Sequence, residues 1–192
     1  MSEAPALEAG PLALLPFGAR HLTEAYVSWL NDPAVVRYSE QRHRRHTLDS
    51  CRAFISGFAT GPNLLWAIET RADGRHIGNI TASFDLNNRI ADIGILIGSP
   101  GTQGKGYGRH AWGAVLDYLC ADETLHKVTG GCLAANTAMV RLMRATGMRE
   151  DGMRPDHYLI DGQPTNLLYF SKPGKWEPSA GKPKVESFPR PT

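Results

Sequence analysis

Cysteine is scarce in this sequence, and none of its apolar runs is long. Only three cysteines occur among 192 residues, widely spaced and without a CxxC pair, so we expect reduced thiols in a cytoplasmic protein rather than a disulfide framework. No apolar run is long enough to cross a membrane. The N-terminal stretch has an acidic residue at Glu3 and no basic segment, so we expect no secretory signal.

The chain also lacks a large excess of charge of either sign. Its formal net charge is +2, which does not suggest a dedicated nucleic-acid binder. The one local basic run is RHRRH, residues 42–46, and runs that short usually form a solvated surface. The seven histidines form no HExxH motif and no Cys/His cluster, so no metal site is predicted.

The composition that is present suits one domain with a real core. Hydrophobic residues make up 42% of the chain, and no internal repeat is visible. We therefore predict a single domain over residues 1–172. Residues 173–192 are rich in Pro, Lys and Ser and poor in aliphatic residues, which predicts a flexible C-terminal tail.

The alternation of apolar patterns predicts a mixed α/β domain, with a mostly antiparallel sheet of about seven strands flanked by about four helices. The predicted strands start near residue 12 and cover residues 63–70, 76–85, 90–98, 126–135, 148–160 and 165–172. Three helices are predicted to begin after the N-cap residues Thr23, Thr47 and Asn136. The fourth follows a glycine-rich loop. The three strands from residue 63 to residue 98 should form an antiparallel meander, because the turn at Asp73-Gly74 is a strong hairpin signal.

The glycine-rich loop GTQGKGYGRH, Gly101–His110, lies between an Ile-rich strand and a helix N-terminus. Unpaired N–H groups and the helix dipole attract anions at such a point. Glycines let the backbone wrap closely around an anion, and Lys105 and Arg109 would add charge. A pyrophosphate group is the predicted ligand, and a plain connector is the alternative.

Two common phosphate-binding loops do not fit this segment. A Walker A motif needs GxxxxGK followed by Ser or Thr, which neither Gly101 nor Gly104 begins. A dinucleotide-binding fold needs GxGxxG inside a parallel βαβ unit. Here the glycine spacing differs, and the preceding strand belongs to a meander.

The pattern Gln103-x-x-Gly106-x-Gly108 resembles the acetyl-coenzyme A signature of the GNAT N-acetyltransferase superfamily. The resemblance covers about residues 12–172 and includes three further motifs in the right order. The first two resemble the RimJ/RimL-like branch, and the third resembles the Asn-x-x-(Ser/Ala) helix of the superfamily. These motifs are WLNDPAVVRY at residues 29–38, the pair formed by Gly78-Asn79-Ile80 and Ala91-Asp92-Ile93-Gly94, and the helix from Asn136 through Arg141-Leu142 to Gly147-Met148.

The resemblance implies the GNAT fold and direct transfer of an acetyl group from acetyl-CoA to a primary amine. In this family the strand before the loop is splayed from its neighbour, often with a bulge, and its backbone pairs with the cofactor. The cofactor-binding residues so implied are Ile95, Leu96, Ile97, Gln103, Gly104, Lys105, Gly106, Tyr107, Gly108, Arg109, Asn136 and Arg141. Asn136 would cap its helix in any case, and a solvent-exposed helical residue is the alternative for Arg141.

Asp92 stands where RimJ/RimL relatives often carry Glu, which makes it the candidate catalytic base. A structural ion pair is the alternative, and His76 and Asp85 compete for the role. Many family members carry a Tyr that protonates the leaving thiolate, but the matching position here is Met143, which cannot donate a proton. Cys132 is expected to be a small core residue rather than an acetyl carrier.

The acceptor side of this family is formed by the first two helices. The substrate-binding residues so implied are Trp29, Asn31, Tyr38, Arg42 and His46. The resemblance allows several acceptors, and the arginines of the basic run, Arg42, Arg44 and Arg45, favour an anionic small molecule such as a nucleotide-linked amino sugar. A protein N-terminal acetyltransferase and a non-catalytic acyl-CoA sensor are the alternatives. The expected assembly is a monomer or a homodimer.

Overall fold

A computed structural model describes residues 3–177, and its centre is an eight-stranded sheet in the order β1-β2-β3-β4-β5-β6-β8-β7. The strands are β1 Leu7–Ala9, β2 Leu12–Pro16, β3 Leu64–Thr70, β4 His76–Asp85, β5 Ile90–Ile97, β6 Lys127–Leu133, β7 Arg149–Ile160 and β8 Gln163–Pro173. The α-helices within the described residues are α1 Glu24–Leu30, α2 Pro33–Val36, α3 Leu48–Thr60, α4 Tyr107–Ala121 and α5 Thr137–Ala145. Neighbouring strands are antiparallel except for β5 and β6, which are parallel. The predicted fold class is confirmed.

The predicted N-caps begin the helices because their side chains satisfy otherwise unpaired N–H groups. The side chain of Thr23 accepts a hydrogen bond from the N–H of Tyr26 at 3.2 Å. Thr47 opens α3 with a reciprocal capping box. Asn136 Oδ1 accepts from the N–H of Met139 at 3.2 Å. These caps fix the residues at which α1, α3 and α5 begin.

Two short elements were not predicted. The strand β1 has three residues and pairs with β2 across a turn in which Gly10 has a φ of +60°. The helix α2 has four residues and begins after Asp32, whose side chain accepts from the N–H of Ala34. Neither element is long enough to show a periodic pattern of apolar residues. The structure therefore has one strand and one helix more than the sequence predicts.

The parallel strands β5 and β6 pair over a short distance and then diverge. Their ladder joins Ile90–Asp92 to Lys127–Thr129 and ends there. Beyond Asp92, β5 continues to Ile97 paired only with β4. That β4–β5 ladder has no register shift, so β5 carries no bulge against β4. The edge of β5 that faces away from β4 is left open by the divergence of β6.

The two faces of the sheet are covered by different helices. Ile95 and Ile97 of β5 pack into the larger core cluster, which contains α4 and α5 residues such as Leu116 and Val140. Leu96, which points to the opposite face, packs with α1 and α3 in a second cluster around Tyr26. The open edge of β5 therefore lies between two helical layers.

The first residues of the predicted tail remain attached to the sheet. The N–H of Gly174 donates to the carbonyl of His126 at 2.9 Å, and the N–H of Trp176 donates to the carbonyl of Leu125 at 3.0 Å. The Trp176 ring also lies 5.2 Å from the guanidinium of Arg89. Residues 178–192, the rest of the predicted tail, lie outside the described residues.

Candidate active site

The loop before α4 has a backbone shape that requires glycine. Gly101, Gly104 and Gly106 have φ values of +73°, +75° and +73°, a left-handed region that costs other residues about 1–2 kcal/mol. Gly106 is the N-cap of α4 and has no side chain to cap it. The N-terminus of this 15-residue helix is thus left available to an external acceptor.

Unpaired backbone donors gather at this helix start. Within the described residues, no acceptor is found for the N–H groups of Gly104, Gly106, Tyr107 and Gly108. They border a depression of about 390 Å³ between the loop and α5. Donors and the helix dipole converging on one concave surface favour a phosphate or pyrophosphate group.

Most of the predicted pyrophosphate residues lie around this depression. Its lining includes Ile97, Gln103, Gly104, Gly106, Tyr107, Gly108, Arg109 and Arg141. Lys105 lies outside the lining, with its ammonium 5.9 Å from the centre of the Tyr107 ring. The set of donors and cations fits the diphosphate of coenzyme A, and the role of each residue in binding stays a prediction.

A second and larger cleft adjoins the depression at Ile97. Its volume is about 550 Å³, and it runs from the open edge of β5 toward α1 and α3. The remaining predicted cofactor residues, Ile95, Leu96 and Asn136, line it. The two concavities share Ile97 and together extend from the glycine loop to the region where β5 and β6 separate.

Several lining residues of this cleft were missed by the sequence reasoning. Asn79 and Thr81 point into it from β4, and Tyr26 and Cys51 border it from the first helical layer. Burial raises the pKa of the Tyr26 hydroxyl above its ordinary value. The sequence signal for Asn79 and Thr81 was their polarity at alternate positions of an otherwise apolar stretch of β4. In the structure the apolar residues of that stretch, Ile77, Ile80 and Ala82, are fully buried.

Of the predicted acceptor residues, Tyr38 and His46 line the cleft, together with Arg44 and Arg45. Neither Arg44 nor Arg45 forms a salt bridge with any carboxylate of residues 3–177. No aspartate or glutamate lines the cleft within that range. The rim is therefore basic, and two of its cations are available to a ligand.

Trp29 and Asn31 do not line the cleft, and the structure gives both a supporting role. Trp29 is buried against Gly98, where an added Cβ would meet the indole at 2.3 Å. The Asn31 side chain accepts from the N–H of His46 at 2.8 Å and donates to its carbonyl at 2.9 Å. Asn31 thereby holds the backbone of His46, a residue that does line the cleft, in place.

Arg42 does not line the cleft, and its guanidinium is engaged by other groups. It donates to the carbonyl of Ser39 at 2.9 Å and to the carbonyl of Leu159 at 3.3 Å, and it pairs with Glu40 at 2.7 Å. Arg42 thereby ties the acceptor-side segment to the β7–β8 hairpin. Of the three arginines predicted to contact an anion, Arg44 and Arg45 line the cleft and Arg42 does not.

Asp92 lies where the β5–β6 ladder ends, at the start of the divergence. Its carboxylate accepts a hydrogen bond from the Thr129 hydroxyl at 2.7 Å. Shielding by neighbouring strands raises the carboxyl pKa above its ordinary value, and the Thr129 bond opposes that shift. The residue is exposed and does not line the cleft, and no structural ion pair engages it within residues 3–177.

The two competitors for the base role have other functions in the fold. Asp85 ends β4 and accepts from the N–H of Asn88 at 2.9 Å, which closes the β4–β5 turn. His76 is packed among Phe17, Tyr26 and Trp29. Desolvation lowers the His76 pKa to about 4, so its ring is neutral near pH 7, but neither residue lines the cleft.

Met143 and Cys132 match the chemistry predicted for them. Met143 is fully buried against Trp112 in the core and has no proton to donate. Cys132 borders the cleft, and burial raises the pKa of its thiol to about 11. A thiol with so high a pKa is a poor nucleophile near neutral pH, which argues against an acetyl-cysteine intermediate.

Comparison with known proteins places these features in a family. Residues 12–149 match the family model described as an acetyltransferase (GNAT) domain. A relative, the uncharacterized N-acetyltransferase YnaD of Bacillus subtilis (strain 168), is 25% identical over 129 residues, which cover 67% of this chain and 74% of that protein.

Solved structures share the fold at lower identity. Spermidine N-acetyltransferase from Vibrio cholerae, in complex with CoA and spermine, has a TM-score of 0.74 and 20% identity, covering 85% of this chain and 95% of that one. RimL, a ribosomal L7/L12 alpha-N-protein acetyltransferase in complex with coenzyme A, has a TM-score of 0.77 and 13% identity, covering 90% and 100%. The divergent strands, the glycine loop at the start of α4 and the family match lead to one conclusion: this chain belongs to the GNAT acetyltransferase family, an enzyme family that uses acetyl-CoA.

Proposed function

We propose that this chain is a RimJ/RimL-like N-acetyltransferase that acetylates the primary amine of an anionic small molecule, with a nucleotide-linked amino sugar as the preferred acceptor. The observation that carries the proposal is the cleft that joins the open edge of β5 to a basic rim at Arg44 and Arg45. The branch assignment is supported by the motifs around Trp29, Gly78 and Asp92.

The reaction joins the amine nitrogen to the acetyl carbonyl carbon and breaks the carbon–sulfur bond of the thioester. Acetyl-CoA supplies the activated acetyl group. An acceptor that binds as an ammonium loses two protons from nitrogen on the way to the amide, and the coenzyme leaves as a thiolate that takes up one proton. The protein has to hold the two substrates together, accept the amine proton and place N–H donors near the developing oxyanion.

Asp92 is the residue we assign to proton acceptance. Its raised carboxyl pKa favours binding a proton, and it lies at the origin of the divergence between β5 and β6. Because Asp92 does not line the cleft, a water molecule has to relay the proton from the amine. Met143 cannot protonate the leaving group, so we assign that proton to solvent.

The charge around the cleft selects the acceptor. A polyamine acceptor calls for carboxylates, since each buried ammonium group needs an opposite charge. The lining of this cleft within residues 3–177 contains Arg44, Arg45 and His46 and no acidic residue. Guanidinium groups bind phosphate and carboxylate oxygens in pairs, which favours an acceptor that carries such a group beside its amine.

A panel of amines tests the acceptor class. Release of the coenzyme A thiol is measured with nucleotide-linked amino sugars, acidic peptides, neutral amino sugars and spermidine. We expect the anionic amines to react fastest and the double variant Arg44→Gln/Arg45→Gln to raise their KM about tenfold while the acetyl-CoA KM stays the same. Arg52→Gln is the matched control, because Arg52 is an exposed arginine paired with Asp49 on α3. Equal KM values in parent and double variant contradict the anionic acceptor.

A non-catalytic acyl-CoA sensor is the second candidate, favoured by the absence of a proton donor at Met143. Such a sensor binds acetyl-CoA and releases no thiol with any amine. A protein N-terminus is the remaining acceptor, and preference for an acidic peptide over the amino sugars would assign it.

A further inference from the structure

Asn79 is a polar side chain buried at the floor of the acceptor cleft. It lies in the middle of β4, pairs in register with Leu96 of β5, and is only 8% exposed. Its neighbours Gly78 and Ile80 are both buried. Burying a polar amide at a position where an apolar side chain would be stable is costly unless the amide has a hydrogen-bond partner.

Residues 3–177 supply no such partner for the side-chain oxygen of Asn79. The Oδ1 atom of Asn79 is buried and accepts no hydrogen bond from residues 3–177. Asn79 is one of two residues with such an atom within that range; the other is His46, whose Nε2 is buried and unpaired. Both residues line the same cleft. Two orphaned polar atoms on residues that line one cavity indicate a ligand that completes their hydrogen bonds.

Asn79 and the open edge of β5 border the same cleft. Thr81 pairs with Gly94 and Asn79 pairs with Leu96, and all four line the cleft. Leu96 stands beside Asn79 on this face, whereas Gly94, beside Thr81, has no side chain and leaves the sheet surface low next to the open edge of β5. An acceptor molecule lying on this surface reaches the edge where the acetyl group is expected.

We propose that Asn79 Oδ1 accepts a hydrogen bond from the amine that is acetylated, and so holds that amine against β5. This inference rests on the proposed function and adds a substrate-contacting residue to it. A neutral oxygen suits the task, since it can accept from an ammonium before proton loss and from an amine after it, whereas a carboxylate would hold the ammonium charged. His46, whose backbone is fixed by Asn31, then contacts another polar group of the same acceptor.

The chemistry favours the amine over the cofactor as the partner. The cofactor edge belongs to β5, and Asn79 is on β4, one strand further from β6. Its side chain shares the face of the sheet with Leu96, which packs with α1 and α3, the acceptor-side layer. Asn79 therefore borders the acceptor half of the cleft.

Three variants of the full chain separate this role from a structural one. Asn79→Leu keeps the size and removes the hydrogen bond, and Asn79→Asp keeps an acceptor oxygen. Asn63→Leu is the matched control, because Asn63 Oδ1 has a partner, the N–H of Phe84 at 2.9 Å. For each variant the acceptor kcat/KM, the acetyl-CoA Kd and the melting temperature are measured with the best amine of the panel.

We expect Asn79→Leu to lower the acceptor kcat/KM at least tenfold with an unchanged acetyl-CoA Kd and an equal or higher melting temperature. Asn79→Asp should retain more activity than Asn79→Leu. Asn63→Leu should lower the melting temperature and leave kcat/KM near that of the parent. If Asn79 has only a structural role, the order of activity is reversed, and Asn79→Leu is more active than Asn79→Asp.

Each other outcome overturns the inference. A raised acetyl-CoA Kd in Asn79→Leu assigns the side chain to the cofactor, and a lowered melting temperature assigns it to the fold. Unchanged kcat/KM removes the inference but leaves the proposed function intact. If the parent protein binds acetyl-CoA and acetylates no amine, the proposed function fails and this inference fails with it.

Discussion

Gly106 combines two properties at one residue, a left-handed backbone and a position at the opening of α4. Its φ is +73°, and an added Cβ would meet no protein atom within 4 Å, so substitution does not clash with the fold itself. Gly106→Ala should distort the loop and weaken acetyl-CoA binding at least tenfold, which corresponds to about 1.4 kcal/mol. Calorimetric titration measures the affinity.

Gly74 offers the matched control for that experiment. It has a φ of +66°, also with no atom near an added Cβ, but it lies in the turn between β3 and β4. Gly74→Ala should cost similar stability and leave acetyl-CoA binding unchanged. Equal affinity in both variants would show that the loop does not bind the cofactor.

The carboxylate of Asp92 is the group proposed to accept the amine proton. Asp92→Asn keeps the shape and the Thr129 contact but cannot accept the amine proton, so kcat should fall by about 10²–10⁴-fold while the acetyl-CoA Kd holds. Asp85→Asn, at the far end of β4, is the control and should keep kcat. A loss of less than threefold in Asp92→Asn moves the role to another group.

Sequence reasoning reached some residues of the site and missed others for a physical reason. The glycine loop is a local pattern, so Gln103, Gly106 and Gly108 could be read directly from the sequence. For Asn79 the sequence shows only a polar residue at an alternate position of β4, because its burial and its missing partner depend on how β4, β5 and α1 pack. Trp29 lies within a family motif, but the structure shows it packed against Gly98, which spacing alone does not reveal.

At the scale of elements, β4 and β5 have to stay tightly paired for β5 to present its opposite edge. Gly78 makes this possible, because an added Cβ would meet the carbonyl oxygen of Leu96 at 2.2 Å. Gly78→Ala should force the strands apart and lower the free energy of unfolding by about 1–3 kcal/mol. Denaturant unfolding followed by circular dichroism measures this loss.

The control for that variant is a glycine in a helix. Gly57 lies in α3 with no atom near an added Cβ, so Gly57→Ala should raise stability by about 0.5–1 kcal/mol. A Gly78→Ala protein as stable as the parent would mean that the pairing of β4 with β5 tolerates a side chain at this position.

Element boundaries were predictable where local chemistry sets them. Thr23, Thr47 and Asn136 begin their helices through their own side chains, and His76–Asp85 was predicted with the observed bounds. The divergence of β5 from β6 is different, because it depends on tertiary contacts between distant segments. Only the family resemblance anticipated it, and the bulge that the family often shows is absent between β4 and β5.

At the scale of the whole molecule, burial of His76 should make stability depend on pH. Desolvation lowers the pKa of His76 from 6.5 to about 4 in the folded protein. Below pH 6.5 the unfolded chain therefore binds a proton that the folded chain does not, and stability falls as pH decreases toward 4. Between pH 7 and pH 5 we expect a loss of about 1 kcal/mol after allowing for the partial exposure of the ring.

Replacement of the ring tests the assignment of that pH dependence. His76→Phe keeps an aromatic ring against Phe17, Tyr26 and Trp29 but removes the titrating group, so its loss of stability between pH 7 and pH 5 should be smaller than that of the parent. Thermal unfolding at several pH values measures both. Identical slopes in the two proteins would assign the pH dependence to other groups.

If the cleft, the glycine loop and the basic rim work together as proposed, the protein transfers an acetyl group from acetyl-CoA to an amine. The most direct test incubates the purified protein with acetyl-CoA and the amine panel, and follows both thiol release and the mass of the acceptor. The account predicts an acetylated amine, formed faster from an anionic acceptor than from spermidine, with thiol released in equal amount. Binding of acetyl-CoA, seen as a raised melting temperature, without acetylation of any amine would contradict it.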